Sequence, residues 1–501
     1  MRPQARTFPS STVFLLPLLV SFWVISTTAE APVVLRVGIA VPDANSSVGL
    51  PAIAETLSSE ALIGLGLDGR PIPRLAAAWD ASSDGQVLRF TIAPNIRFHD
   101  GRAADAEMVA SLLREGLQNA GALQMHSRLR NFFQVRTEGK YTIVLSSSSA
   151  RILALEELAN ITLKVGSPDG GLGPFVVESL NADGMQLRGY EGYFRGAPKI
   201  GRVEFQLYRS QRAAWTGMMR DATDALYEVN RDAAEFVERE SRVRTHSFLR
   251  PYVSGLVFNV SHTVFRDAKV RRAIVAAVNR TAIVESAYRG RARRADGPLT
   301  PTYWALAGNP SRKTHNPELA KALLEHLPLQ SRADQMPARL RFRCLVPSFE
   351  TQPLDRTALI VQKQLYDFGV DMELEPVSVR GLFPRLASGD FEAVLMEFFG
   401  ITPSWISYFW HSPALGGPVL LNSGYSAANG DLEAMDAART EHELRSTLAN
   451  VYRRFAEDPP AVFIAWPEVT RAVSKRFDVP VEKGRDIMGG NLWLWRPAKA
   501  Q

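Results

Sequence analysis

Residues 87–117 read VLRFTIAPNIRFHDGRAADAEMVASLLREGL. Val87 to Ile92 alternate apolar and polar side chains, which predicts a strand. Ala93-Pro94-Asn95 breaks it. From Asp105 to Leu117 the residues Met108, Leu112 and Leu113 recur on one helical face, while Asp105 and Glu107 suit the N-terminal end of the dipole. Ala104, the residue before Asp105, is a poor cap. Between the two elements lies Phe98-His-Asp-Gly101, where a histidine beside an aspartate reads either as half of a metal or acid/base site or as a turn. Gly101 can take a positive φ, and His99 and Asp100 can bond local backbone, so the stretch reads as a strand-to-helix turn and argues against catalysis.

The surrounding chain is ordinary globular material. Its 501 residues are 46% hydrophobic and 22% charged, with a net charge of +6, which allows about two or three compact domains. Arginine outnumbers lysine and is spread along the chain, so no nucleic-acid partner is expected. The densest basic run, Arg289-Gly-Arg-Ala-Arg-Arg294, reads as a solvated loop. Cys344 is the single cysteine, which excludes a disulfide framework and a CxxC redox pair.

At the N-terminus, Arg2 and Arg6 precede the apolar run Val13 to Ile25, and small residues follow up to Ala31. This pattern predicts a cleavable secretory signal over residues 1–31, with a run shorter than the ~20 residues a membrane span needs. No cysteine adjoins the cleavage point, so no lipid anchor is expected and the mature chain should reside in a periplasm. Further along, Val33 to Ala40 predicts a first strand, Ala268 to Tyr288 a helix, and Thr357 to Phe368 a helix leading into the strand VDMELEPV. The mixture is that of an α/β protein.

The motifs that suggest chemistry fail on context. Gly64-Leu-Gly-Leu-Asp-Gly69 matches GxGxxG, but a helical stretch precedes it and Arg70-Pro-Ile-Pro73 blocks a helix after it, so it reads as a glycine-rich turn. Gly424-Tyr-Ser-Ala-Ala428 lacks the last glycine of a nucleophile elbow. The eight histidines show no HExxH and no pair at i,i+4, so no metal ligands or cofactor are assigned. Glu156-Glu157 reads as solvated charge on an exposed helix. No catalytic residue is assigned.

The order of these segments resembles a known family. LSSEALIGLGLDGRPIPRLAAAWDASSDGQVLRFTIAPNIRFHDGRAADAEMV, residues 57–109, is similar to the signature region of the bacterial extracellular solute-binding proteins of family 5. These are the peptide- and nickel-type binding components of ABC transporters. Gly171-Leu-Gly-Pro-Phe175 resembles that family's Gly-Thr-Gly-Pro-aromatic turn. Residues 256–284, LVFNVSHTVFRDAKVRRAIVAAVNRTAIV, and 381–400, GLFPRLASGDFEAVLMEFFG, resemble two later segments in the same order.

The resemblance implies an α/β, two-lobed periplasmic binding protein (type II, cluster C-like) with an extra inserted subdomain and hinge strands. Lobe I would combine 32–50, 170–260 and 478–501, the inserted subdomain 51–169, and lobe II 261–477. A peptide or other small solute would be enclosed by closure and passed to an ABC permease and ATPase at the inner membrane by a monomeric protein. A nickel or metal-chelate carrier of the same fold is the alternative, and a secreted hydrolase the reading from another class. By the same resemblance, Asn259 matches an asparagine that can bond ligand backbone, with Tyr252 upstream; either can instead support the hinge. Arg356 falls near a carboxylate-binding arginine, or is a surface arginine. The segment holding Phe398, Phe399, Gly400 and Trp405 corresponds to a pocket wall, its aromatics lining the pocket or filling the core. Peptide-binding relatives place an amine-binding aspartate here; this chain has Ile401 and Thr402 instead, which removes the expected counter-ion.

Overall fold

A computed structural model describes residues 32–40, 49–119, 133–163, 170–306, 315–332, 335–347, 353–411 and 420–499. The expected signal segment, 1–31, lies outside the described residues. The strands expected from alternation at 87–92 and from β-branched residues at 33–40 are both present, as Val87–Ile92 and Val34–Ala40. Twelve strands join in one sheet. Along the chain they are β1 (Val34–Ala40), β2 (Phe175–Asn181), β3 (Gly184–Gly189), β4 (Arg202–Tyr208), β5 (Ala225–Val229), β6 (Val243–Leu249), β7 (Tyr252–Phe258), β8 (Ala292–Arg294), β9 (Leu340–Pro347), β10 (Val370–Val377), β11 (Ala393–Phe399) and β12 (Ala461–Ser474). Their order is β2-β3-β4-β1-β5-β12-β7-β11-β9-β10, with β6 and β8 also paired to β12.

The long strand β12 divides this sheet into two lobes. Its first half pairs with β7 and β8, up to Pro467 opposite Ala292; its second half pairs with β6 and β5, starting at Glu468 opposite Leu249. The chain also crosses between β6 and β7, at Arg250-Pro251. Partners therefore change at 250–251 and at 467–468. The first switch precedes the boundary expected at 260 and the second precedes that expected at 477.

Each lobe buries its own core. In the first, Leu35 and Val37 of β1 pack with Phe175, Phe205, Leu492 and Trp495. In the second, β7 is covered on both faces, which is why it reads as an almost unbroken apolar run. Val253 and Val257 face one cluster with Phe398 and Phe463; Leu256 and Phe258 face another with Ile274 and Phe342. Helix Ala268–Ala277 ends early, correcting the single helix expected to Tyr288. Asn279 caps a second helix, Arg280–Ser286, its side chain accepting from the Ala282 amide at 3.1 Å, and a capping asparagine favours starting a helix over continuing one.

Residues between β1 and β2 add a four-stranded antiparallel sheet with helix Ala106–Asn119 packed on it. Asp105 is the residue that caps this helix, through the Met108 amide at 3.0 Å. Of the stretch Gly64–Gly69, Gly64 and Leu65 end the strand Ile63–Leu65 and Gly66–Gly69 turn the chain back into Pro71–Pro73. Gly101 has φ +85°, as the turn reading requires. Asp100 bonds locally, to the Arg102 amide at 2.9 Å. His99 does not, and here the expectation of local bonding is corrected. Its ring Nε2 lies 2.9 Å from the Gly173 carbonyl and its amide donates to Gly171 O at 2.9 Å. A Cβ at Gly171 or Gly173 would run into Ser58, and at Gly171 also into the imidazole. Two motifs far apart in sequence thus form one joint, and only glycine permits that approach.

Candidate functional site

The two crossings meet. The Arg250 amide donates to the Pro467 carbonyl at 2.8 Å, and the Arg250 side chain, 19% exposed, extends between two cavities. One, of about 620 Å³, is lined by residues including Ile53, Leu207, Tyr227, Glu228, Arg250 and Tyr252. The other, of about 560 Å³, has Ser247, Arg250 and Glu468 on one side and Arg293, Thr300 and Ile401 on the other. Both sizes suit a small organic solute.

Four charges converge on the crossing. Glu228 is the fourth residue of β5, and Arg231 opens helix Arg231–Arg239, which follows it. Glu397 sits in β11, opposite Ser254 of β7. Arg250 Nη2 lies 3.8 Å from Glu228 Oε2, and Nη1 lies 3.9 Å from Glu397 Oε2. The Glu397 side chain is 4% exposed. Neither of its oxygens, nor Arg250 Nη1, hydrogen-bonds to any described residue. Burial pushes the Glu397 carboxyl above the ordinary range, while the Arg250 and Arg231 charges pull it back. Burial likewise lowers Arg231, whose guanidinium lies 5.2 Å from the Tyr288 ring centroid. Tyr288 donates to Ser254 Oγ at 2.8 Å, and Ser254 to Ala465 O at 3.1 Å, so the floor of the cluster is rigidly bonded. Tyr227 is backed by Arg471, which pairs with Asp486 at 2.7 Å.

An aromatic rail runs from the crossing into the second lobe. Tyr252 and Phe399 are opposite in register with ring centroids 4.1 Å apart, and Phe399 stacks on Trp405 at 4.4 Å. Tyr252, Phe399 and Trp405 are therefore brought together. Gly400 adjoins them, its amide donating to Pro251 O at 3.2 Å, and a Cβ there would overlap the Pro298 carbonyl and Trp466. Phe398 points to the opposite face of β11 and packs against Phe409, Trp410 and Phe463 in the core. Asn259 lies at the far end of β7, 5% exposed. Its side chain donates to Gly389 O and Phe391 O and accepts from the Ser261 amide, so its polar atoms hold the local fold. Arg356 is on the helix Leu354–Tyr366, its side chain 47% exposed, 3.8 Å from Asp232.

Sequence reasoning passed over Glu228, Arg231, Arg250 and Glu397. For Glu397 a signal existed: a lone carboxylate inside the apolar run AVLMEFF is costly unless something pairs with it. Two other readings are corrected. Glu156 and Glu157 are 2% and 3% exposed, not solvated. Glu156 accepts from the Tyr303 hydroxyl at 2.8 Å and the Trp304 indole at 3.1 Å; Glu157 accepts from Arg151 at 2.9 Å and Ser404 at 2.7 Å. The bonds from Tyr303, Trp304 and Ser404 tie residues 156 and 157 to the second lobe. The run 289–294 is not a free loop either, because residues 292–294 form β8 and Arg289 and Arg291 pair with Asp232 and Glu238 at 2.6 and 2.8 Å. Among the described residues no three His, Cys, Asp or Glu side chains converge as a metal site, and no helix is long and apolar enough to cross a membrane. Burial pushes the Cys344 thiol up to about 12, which makes it a poor nucleophile.

Comparison with known proteins places this geometry. A model of the bacterial extracellular solute-binding proteins, family 5 (middle part), matches residues 70–416. The dipeptide-binding protein of Escherichia coli K12 is 23% identical over 52% of this chain and 55% of its own length. The nickel-binding periplasmic protein of the same organism is 25% identical over 69% of this chain and 71% of its own. Against several such curated relatives the chain spans only about half their length. Among solved structures, a putative peptide-binding protein AppA from Clostridium difficile superposes with a TM-score of 0.79 at 15% identity, covering 92% of this chain and all of that one. NikZ from Campylobacter jejuni, in complex with Ni(L-His), gives 0.76 at 17%, covering 92% and 99%. The fold is thus the two-lobed one these neighbours share. The sequence match extends over more than half of its residues, and the chain belongs to the bacterial extracellular solute-binding proteins of family 5.

Proposed function

We propose that the protein is the substrate-binding component of an ABC importer, capturing a small organic solute between its lobes and delivering it to a membrane permease. Residues 1–31 would direct export to the periplasm, where the protein would act as a monomer. The observation that carries this reading is the doubled crossing at Arg250 and Pro467, with cavities of solute size on both flanks. A pair of crossings is where two lobes rotate, and a solute held there is withdrawn from water as they close. The permease then distinguishes the closed form from the open one, because the solute has shifted the population between them. No bond need be made or broken, so no enzymatic activity is assigned.

Tyr252, Phe399 and Trp405 would contact the solute, with Arg250 reading its charge. Asn259, Phe398 and Gly400 would act through the scaffold. Arg356, facing Asp232 across the lobes, would bear on closure more than on contact. Capture of a metal chelate is the second reading, favoured by the extent of similarity to the nickel-binding relative. The metal would then be carried through its organic ligand.

Native mass spectrometry of protein taken from osmotic-shock fluid tests the proposal. The expected result is one small solute per chain, released unchanged on unfolding, together with loss of residues 1–31. Protein that carries and binds no solute, or that converts one, would overturn it.

A further inference from the structure

The charges at the crossing narrow the class of solute, if the ligand site is where the preceding reading puts it. Glu228 and Glu397 supply two negative charges, Arg231 and Arg250 two positive, so the group is neutral. Yet it is incompletely satisfied. Arg250 reaches Glu228 and Glu397 only at 3.8 and 3.9 Å, beyond hydrogen-bond range. Both Glu397 oxygens and Arg250 Nη1 are buried without a hydrogen bond to any described residue. A buried carboxylate and a buried guanidinium nitrogen with open valences are costly unless something arrives to fill them.

Each kind of solute leaves a different balance. A simple cation would satisfy Glu397 and leave a net positive charge sealed in the closed cleft. A simple anion would satisfy Arg250 and leave a negative one. A neutral, apolar solute would leave both groups unpaired as water is excluded, which is worse than either. A solute carrying both signs keeps the sum at zero and gives each open atom a charged partner, whereas a neutral polar one offers each only the weaker bond of an uncharged group.

We propose that the protein binds a zwitterion, its ammonium on Glu397 and its carboxylate on Arg250, with the remainder of the molecule against the Tyr252–Phe399 rail. Because the two open poles stand 3.9 Å apart, the charged groups must lie close together, as where one carbon bears both in the head of an α-amino acid, and not at opposite ends of a long chain. Glu397 thereby supplies the counter-ion that Ile401 and Thr402 do not. It lies four residues earlier, on the strand and not in the turn after it.

The test is calorimetry on the purified protein, stripped of solute by unfolding and refolding, with a panel of free α-amino acids, their N-acetyl and C-amide derivatives, and dipeptides. At least one free α-amino acid should bind at a single site, and blocking either its amine or its carboxylate should weaken binding about 100-fold or more. E397Q, which leaves the two arginines one carboxylate short, should lose a comparable factor wherever it folds. The derivative series on the unaltered protein stands even where E397Q does not fold. Equal affinity for parent and N-acetyl ligand, unchanged affinity in a folded E397Q, or no binding of any free α-amino acid would each overturn the proposal. If mass spectrometry finds a bound solute lacking one of the two charges, this inference falls while the transport reading stands.

Discussion

The amide of Arg250 and the carbonyl of Pro467 share a 2.8 Å hydrogen bond, so the two places where the chain passes between lobes are tied to each other through main chain. That bond holds the two crossings in register with each other. Pro251 adds stiffness, because its ring sets one dihedral of the crossing. Pro251→Gly should lower stability by on the order of 1 kcal/mol, chiefly by loosening the unfolded chain. Urea unfolding would show this as a lower midpoint with unchanged slope.

Gly400→Ala should be far more damaging. The added methyl meets the Pro298 carbonyl and the edge of Trp466, neither of which can move without shifting the crossing. Overpacking of this kind costs about 1–3 kcal/mol or more. A cost below about 0.5 kcal/mol in denaturant titration would show that the backbone does not approach as closely as described.

Asn259→Ala separates scaffold from contact. The side chain donates to two carbonyls, at 3.0 and 2.8 Å, and removing it leaves both short of a partner, at a cost of about 2 kcal/mol. Solute affinity, measured by calorimetry on the folded variant, should be unchanged. A large loss of affinity with normal stability would place Asn259 at the ligand instead.

Asp232 pairs across the lobes with Arg289 at 2.6 Å and Arg356 at 3.8 Å, but all three side chains are about half exposed. Pairs in that setting contribute under about 1 kcal/mol and are screened by salt. Asp232→Asn should therefore change the melting temperature only slightly in low salt and not at all in 0.5 M salt, a concentration of order well above physiological. A salt-independent loss of several degrees would indicate a buried, structural role.

Glu156 makes stability depend on pH. Desolvation outweighs its bonds from Tyr303 and Trp304 and raises its carboxyl from 4.5 to about 7. The folded state therefore holds a proton that the unfolded state releases. That contribution is complete below pH 4.5 and fades as pH rises to 7, amounting to on the order of 3 kcal/mol in all. Glu156→Gln keeps an acceptor for both donors and removes the titration. Relative to the parent it should gain stability between pH 4.5 and 7, read from melting temperatures across that range. Parallel curves for the two proteins would contradict the assignment.

Local chemistry was enough for much of this molecule. Alternation at Val87–Ile92, the helical spacing after Asp105, the positive φ at Gly101 and the proline-blocked glycine turn at 64–69 follow from side-chain geometry within a few residues. A sequence can be read for such features without knowing the rest of the chain. Whether the aromatics after Glu397 face a pocket or the core was left open by the sequence, because alternate residues of a strand face opposite sides and only the pairing of β7 with β11 decides which side is which. Hence Phe399 joins Tyr252 while Phe398 enters the core.

What the tertiary structure alone decided is where charges find partners. Glu156 and Glu157 looked like solvated acids because Tyr303, Trp304 and Ser404 stand far away in sequence. His99 looked local because Gly173 does too. The cluster of Glu228, Arg231, Arg250 and Glu397 draws on two strands, a helix and a crossing, and no spacing along the chain encodes it. Electrostatic energy depends on distance through space and on how much water has been removed, and both are set only when the lobes are assembled.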